Sequence, residues 1–194
     1  FALDSRTMNI LKSEITRITN CFVSDSEITK TFCPKRNEIN FRGFKDVINK
    51  GKIVVLNMNI NEYRNLSRII AAYLKLDFQT EVLRRLSNSS SSNIHPVAFI
   101  SDEYSEYVSA TDANFFSQSR ESKCINVVST QSYTSLLNAI SNKYSVEVIV
   151  QNLVNKLWFR SDDIYTIEEA QKQIGKVDKQ KTSTTISENA RETS

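Results

Sequence analysis

An α/β domain built on a mainly parallel sheet flanked by helices is predicted by two features of the sequence. Short apolar runs rich in β-branched residues recur at 53–56, 97–100, 124–128 and 156–160, each too brief for a helix. Longer stretches between them carry apolar residues at helical spacing. The alternation describes one domain, and no internal repeat is visible.

The 194 residues are 40% apolar and 24% charged, the composition of a soluble globular domain. No uninterrupted apolar stretch approaches the roughly 18 residues that cross a bilayer, and the first six residues lack a secretory pattern. The chain is thus expected to be cytosolic. It opens on Phe1 and closes in a polar tail, and is expected to be part of a longer protein. Bulk charge of +3 is too small to bind nucleic acid, so any basic groove must be local. Cys21, Cys33 and Cys124 form neither a C-x-x-C nor an even set, and are expected to be reduced and mostly buried. His95 is the lone imidazole, which excludes mechanisms that need two. It stands before Pro96 as a loop residue leading into a strand.

In chain order, Met8, Leu11, Ile15, Ile18 and Phe22 give an opening helix with one apolar face. Residues 33–40 are loop, and 41–50 form a short helix or turn ended by Gly51. The 53–56 run is a strand covered on both faces. Asn59 and Glu62 resemble a capping box for the longest helix, which carries Leu66, Ile70, Tyr73, Leu74, Phe78, Val82 and Leu86. A Ser/Asn linker at 87–93 ends it.

Strands at 97–100 and 124–128 enclose a helix at 113–119. Two helices follow, around Leu136, Leu137 and Ile140 and around Val146, Ile149, Val150 and Leu153, and then a strand at 156–160. Thr166 and Glu169 make a capping box for a last helix through Ile174, with Gly175 at a left-handed cap. Residues 176–194 are disordered or an edge ribbon.

In open α/β sheets, ligands gather beyond the carboxyl ends of the strands. The 97–100 strand exits into Asp102 and Glu103, the adjacent carboxylates of a Walker B element. There one acid holds the water shell of Mg²⁺ on the β and γ phosphates and the other polarises the attacking water. Asp102 takes the first role and Glu103 the second. Polar loops end many strands in acids, so the pair alone is a weak signal. The next strand exits into Gln131, an amide able to bond a γ-phosphate oxygen and the lytic water, although a polar residue before Ser132 is also an ordinary helix start. Arg120 lies between the two motifs, either as a solvated charge or as a finger that reaches a neighbouring subunit's nucleotide. Tyr104, Tyr107, Phe115 and Phe116 can line a base-stacking pore, but the reading as core aromatics is preferred.

The ordered set resembles a known family. Gly51-Lys52-Ile53-Val54-Val55-Leu56-Asn57 with the helix after it, Phe99-Ile100-Ser101-Asp102-Glu103-Tyr104, Ser119-Arg120-Glu121-Ser122, Val127-Val128-Ser129-Thr130-Gln131-Ser132 and Leu157-Trp158-Phe159-Arg160-Ser161-Asp162-Asp163 are similar to the carboxyl-terminal half of conjugative coupling proteins, the TraG/TraD-like ATPases of type IV secretion. The similarity runs from about Phe41 to Gly175.

The resemblance implies a partial RecA-like P-loop NTPase domain over 1–175, with 1–40 as its opening helical segment. It also implies ATP and Mg²⁺ as cofactors, with Asp102 at the metal, Glu103 catalytic, Gln131 catalytic and at the nucleotide, and Arg120 a finger acting in trans. The parent protein would be a hexamer anchored at the cytoplasmic face of the cell membrane, moving single-stranded DNA and its relaxase from the relaxosome to the secretion channel.

Two features depart from the family pattern. Ser119 stands where the family has Gly before the arginine. None of Gly43, Gly51 and Gly175 opens a G-x-x-x-x-G-K-[ST] loop, so the Walker A loop and the membrane anchor are expected upstream of Phe1, and the chain alone is expected to be inactive. The alternatives are a docking module for relaxosome proteins or ring assembly, and a chromosome-pumping translocase of the same broad type.

Overall fold

The computed structural model describes residues 4–88 and 95–175. The Ser/Asn linker and the 176–194 tail lie outside these residues for the most part and outside them entirely, respectively. Within the described residues the chain is an α/β fold in which helices predominate over a small parallel sheet.

Helix α1 (Ser5–Val23) starts at Asp4, whose carboxylate accepts the Thr7 N–H at 2.7 Å. Asp25 caps α2 (Ser26–Phe32) in the same way through Glu27 and Ile28. The apolar face of α1 packs only at its carboxyl end, where Phe22 meets Phe32 edge-on at 6.4 Å. Ile28, Leu66 and Ile70 are the buried centre of this small cluster. Met8, Leu11 and Ile15 stay exposed.

A short helix α3 (Phe44–Asn49) begins after Gly43, whose φ of 86° only glycine adopts readily. The Phe44 N–H is taken by Asp77 on the long helix α4 (Ile60–Asn88). Asn59 accepts the Asn61 N–H at 3.1 Å and its amide reaches Glu62, so α4 starts where the capping pattern placed it. The backbone leaves helical values at Arg64 and resumes them beyond this kink.

Strands β1 (Val97–Ser101) and β2 (Cys124–Val128) pair in parallel, Val97 opposite Cys124 and Ser101 opposite Val128. The crossover between them carries α5 (Asp112–Ser119). Helices α6 (Tyr133–Ala139), α7 (Lys143–Asn152) and α8 (Ile164–Ile174) complete the described fold. The main core joins Phe78 and Val82 of α4 to Tyr104, Phe115, Phe116, Leu136, Val146 and Ile149. Phe99 of β1 stacks on Phe78 at 5.7 Å, so one face of the sheet is sealed by α4. The aromatics after the acidic pair are core residues, with Tyr104 fully buried and Phe115 and Phe116 nearly so.

Several expectations need correction. Residues 53–56 and 157–159 are not strands; Ile53 is 91% exposed and Leu157 87%. An extended apolar segment becomes a strand only when a neighbour takes its N–H and C=O groups, and among the described residues only β1 and β2 find one another. Among the described residues nothing covers the opposite sheet face, where Ala98, Ile100, Ile125 and Val127 are exposed, and the described helices flank the sheet on one side only. Helix α8 begins at Ile164 because Asp163, not Thr166, is its cap: Asp163 accepts the Thr166 N–H at 2.9 Å. Gly175 follows it with the positive φ of 84° that favours glycine, but its ψ of −172° is not that of the left-handed helical cap expected there. Of the cysteines only Cys124 is buried, which pushes its thiol up to about 11.

One polar knot sits inside the core. Lys75 of α4 meets Asp112 of α5 at 2.5 Å, with side chains 2% and 0% exposed. Burial lowers the Lys75 pKa, and the Asp112 carboxylate pulls it back up. Lys75→Met leaves a buried carboxylate without its counter-charge and is expected to cost about 3–5 kcal/mol in urea unfolding. Lys50→Met, which removes a surface partner of Asp46, should cost no more than about 1 kcal/mol. Equal losses in the two variants would show that the buried pair has no special weight.

Candidate functional site

Both strands leave the sheet on the same side because they run parallel, and their exits stay tied beyond the last ladder pair. The Ser129 N–H donates to the Ser101 carbonyl at 2.9 Å, and the Tyr104 N–H donates to the Ser129 carbonyl at 2.9 Å. This brings the acidic pair after β1 beside the 129–131 segment after β2.

Asp102 turns its Oδ1 to the Ser129 hydroxyl and accepts the Glu103 N–H at 2.9 Å. The Ser129 bond first, and the Glu103 N–H second, hold the Asp102 carboxyl below the usual carboxylate range. Glu103 has left-handed backbone, φ 48° and ψ 43°. For a residue with a side chain that conformation costs about 1–2 kcal/mol. Its carboxylate receives the Gln131 amide, Nε2 lying 3.1 Å from each oxygen. Asp102, Glu103 and Gln131 thus share one rim, although 28 residues separate the last two.

The rim opens on a cleft of about 470 Å³ lined by Glu103, Gln131, Arg68, Glu106, Ser105 and Asn138. Arg68 comes from α4 and donates Nε and an Nη to one Glu106 oxygen, at 3.1 and 2.7 Å. Nothing in the sequence marks Arg68, since it is one of many charges on a long helix and its neighbour Glu106 is 38 residues away. Helix α6 forms another wall, started by Ser132, whose hydroxyl accepts the Ser135 N–H at 3.0 Å. Gln131 is therefore both the residue before a helix cap and a partner of Glu103.

Arg120 lies elsewhere. Its carbonyl accepts the Lys123 N–H at 3.0 Å, just before β2 begins, so it sits at the end of the sheet opposite the rim. Five strand residues separate the two ends, about 16 Å. Arg120 is exposed and shares no contact with Glu103 or Gln131 within its own chain. His95 precedes β1 as a loop residue, its carbonyl bonded by Arg85.

Among the described residues no group of three or more His, Cys, Asp or Glu side chains is arranged to hold a metal. Magnesium does not ask for such a cage. It is commonly held by one or two carboxylates together with waters and the phosphates of its ligand, a donor set that Asp102 fits. No helix among the described residues is long and apolar enough to cross a membrane.

A carboxyl held low in the folded state stabilises fully above the usual value near 3.8, and that contribution is lost as the pH falls through the lower folded value. Ser129→Ala is expected to move the Asp102 midpoint up, toward the usual range, in a carboxyl ¹³C titration. An unmoved midpoint would remove the hydroxyl as the cause. Comparison with protein-family models, with curated proteins and with solved structures finds no match to this chain.

Proposed function

We propose that the chain is part of an ATP-driven DNA motor of the conjugative coupling type, a RecA-like domain in which Asp102, Glu103 and Gln131 form the hydrolytic edge of the nucleotide site. The observation that carries this reading is the contact of the Gln131 amide with both Glu103 oxygens at the exits of adjacent parallel strands. In such a site an amide and a carboxylate that touch one another can also share one water between them.

Asp102 would hold the water shell of Mg²⁺, which neutralises charge on the β and γ phosphates. Glu103 accepts a proton from the attacking water while the water oxygen bonds to the γ phosphorus and the bond to the ADP oxygen breaks. Gln131 orients that water and bonds a γ-phosphate oxygen. A bound triphosphate competes with Glu103 for this amide. The phosphate-gripping loop is supplied by polypeptide outside the 194 residues, which contain no G-x-x-x-x-G-K-[ST] motif. Arg120, at the far end of the sheet, can serve only a neighbouring subunit's nucleotide in a ring. The parent protein would work at the cytoplasmic face of a membrane, on single-stranded DNA and its relaxase.

A second reading, a docking module for relaxosome proteins or for ring neighbours, is favoured by the sheet face that no described residue covers and by the exposed apolar face of α1.

Paramagnetic Mn²⁺ in place of Mg²⁺, added with ATP to the full-length gene product, is expected to broaden the amide signals of 102–103 and 129–131 before all others. In the full-length gene product, Glu103→Gln is expected to lower ATP turnover on the order of 10²–10⁴-fold with nucleotide binding retained. Broadening centred elsewhere, or turnover that survives both Asp102→Asn and Glu103→Gln, would overturn the assignment.

A further inference from the structure

The left-handed backbone of Glu103 is held from both sides. On one side the Tyr104 N–H is fixed to the Ser129 carbonyl at 2.9 Å. On the other, the Tyr104 ring passes into the core, edge-on to Phe116 at 6.0 Å, and its hydroxyl donates to Asp112 Oδ2 at 2.5 Å. Both side chains are fully buried. Asp112 is itself immobilised, because Oδ2 also accepts from Lys75 at 2.5 Å and from the Ser109 N–H at 3.1 Å. Its Oδ1 accepts from Gln79 at 3.1 Å and from the Ser109 hydroxyl at 3.0 Å. Lys75 spends a further donor on the Tyr107 carbonyl at 2.7 Å, so the knot grips the same loop at a second point. A strained residue persists only where its surroundings over-determine it, and these bonds do so for the residue next to Glu103.

We propose that Tyr104 and Asp112 are positioning residues for the rim: the buried Asp112 carboxylate pins the Tyr104 hydroxyl and thereby holds Glu103 in its left-handed turn, with its carboxylate on the Gln131 amide. Naming that carboxylate the base rests on the proposed function. The pinning does not, and it is read without nucleotide.

The experiment compares the ¹⁵N NMR shift of the Gln131 side-chain amide in the whole chain with its shift in Glu103→Gln at one neutral pH, and that difference is the amplitude that reports the contact. In the unaltered chain the Glu103 carboxylate, 3.1 Å away, displaces the amide signal, and Glu103→Gln sets the zero of that displacement. Tyr104→Phe keeps the ring and removes only the hydroxyl; it is expected to cut the amplitude at Gln131 at least twofold. Gln79→Leu also removes one bond to Asp112, but leaves the tyrosine anchored, and is expected to keep the full amplitude at a comparable melting temperature. An unchanged amplitude in folded Tyr104→Phe overturns the proposal. Equal loss in both variants overturns it too, because general loosening would then suffice. So does failure of Tyr104→Phe to fold, since the hydroxyl would then serve the fold and not the rim. A full-length gene product that shows the expected amplitude yet gives no Mn²⁺–ATP broadening at the rim refutes the nucleotide reading and leaves the positioning intact.

Discussion

A carboxylate with no access to water must be met by donors on every side, and Asp112 is. Its surroundings join three pieces of chain that are distant in sequence: α4 through Lys75 and Gln79, α5 through Asp112 itself, and the loop after β1 through Tyr104 and Ser109. A loop that leaves a strand ordinarily runs over the surface because its backbone polar groups need water. Here the loop turns inward, and the charge that receives it also supplies the partners it would otherwise lack. A buried ion pair adds little net stability over a well-packed apolar pair, because desolvation offsets the Coulomb gain. Its worth lies in specificity: of the ways a polar loop can cross the end of a sheet, one satisfies both buried charges.

The sheet obeys a different constraint. Parallel strands are ordinarily buried on both faces, and a two-stranded ribbon is marginal by itself. β1 and β2 are held by what covers one face, chiefly Phe78 against Phe99 and the core around Val128. The other face presents Ile100, Ile125 and Val127, and among the described residues no further strand pairs with either edge. The exposed segments around Ile53 and Leu157 have the same apolar character as the paired strands. Burial among the described residues is therefore concentrated in the helical core, and the sheet adds geometry more than burial.

This contrast explains what was legible in the sequence. The long helix could be read from its period and its Asn59 start, because helical hydrogen bonds are local and a helix needs only its own residues. The strands around Phe99 and Val127 and the apolar runs around Val54 and Leu157 carry the same local signal, yet only the first pair forms a ladder. A strand is a relation between two segments, and composition records only one of them. The rim could be read because parallel strands must exit on one side, so Asp102 and Gln131 had to be neighbours once both strands existed. Arg68 and Lys75 could not: on a helix that mixes charged and apolar residues, a buried lysine and a cleft arginine look like any solvated ones. Arg120 was correctly placed between the motifs in sequence, but the crossover carries it to the other end of the sheet.

The rim and the knot are linked by a single peptide. Glu103 faces the cleft and Tyr104 faces the core, and the left-handed backbone of Glu103 itself changes the direction in which the following side chain points. In an extended exit the alternation that turns Phe99 and Ser101 inward would have carried Glu103 to the covered face and Tyr104 to the open one. The turn separates the two environments, placing an ionisable group at the edge of water within one residue of a fully desolvated one. Arrangements of this kind let a surface carboxylate borrow the rigidity of a core without sharing its dielectric. Glu103 stays half-exposed and accessible to a ligand, while the atoms that fix its backbone are among the most deeply buried in the chain.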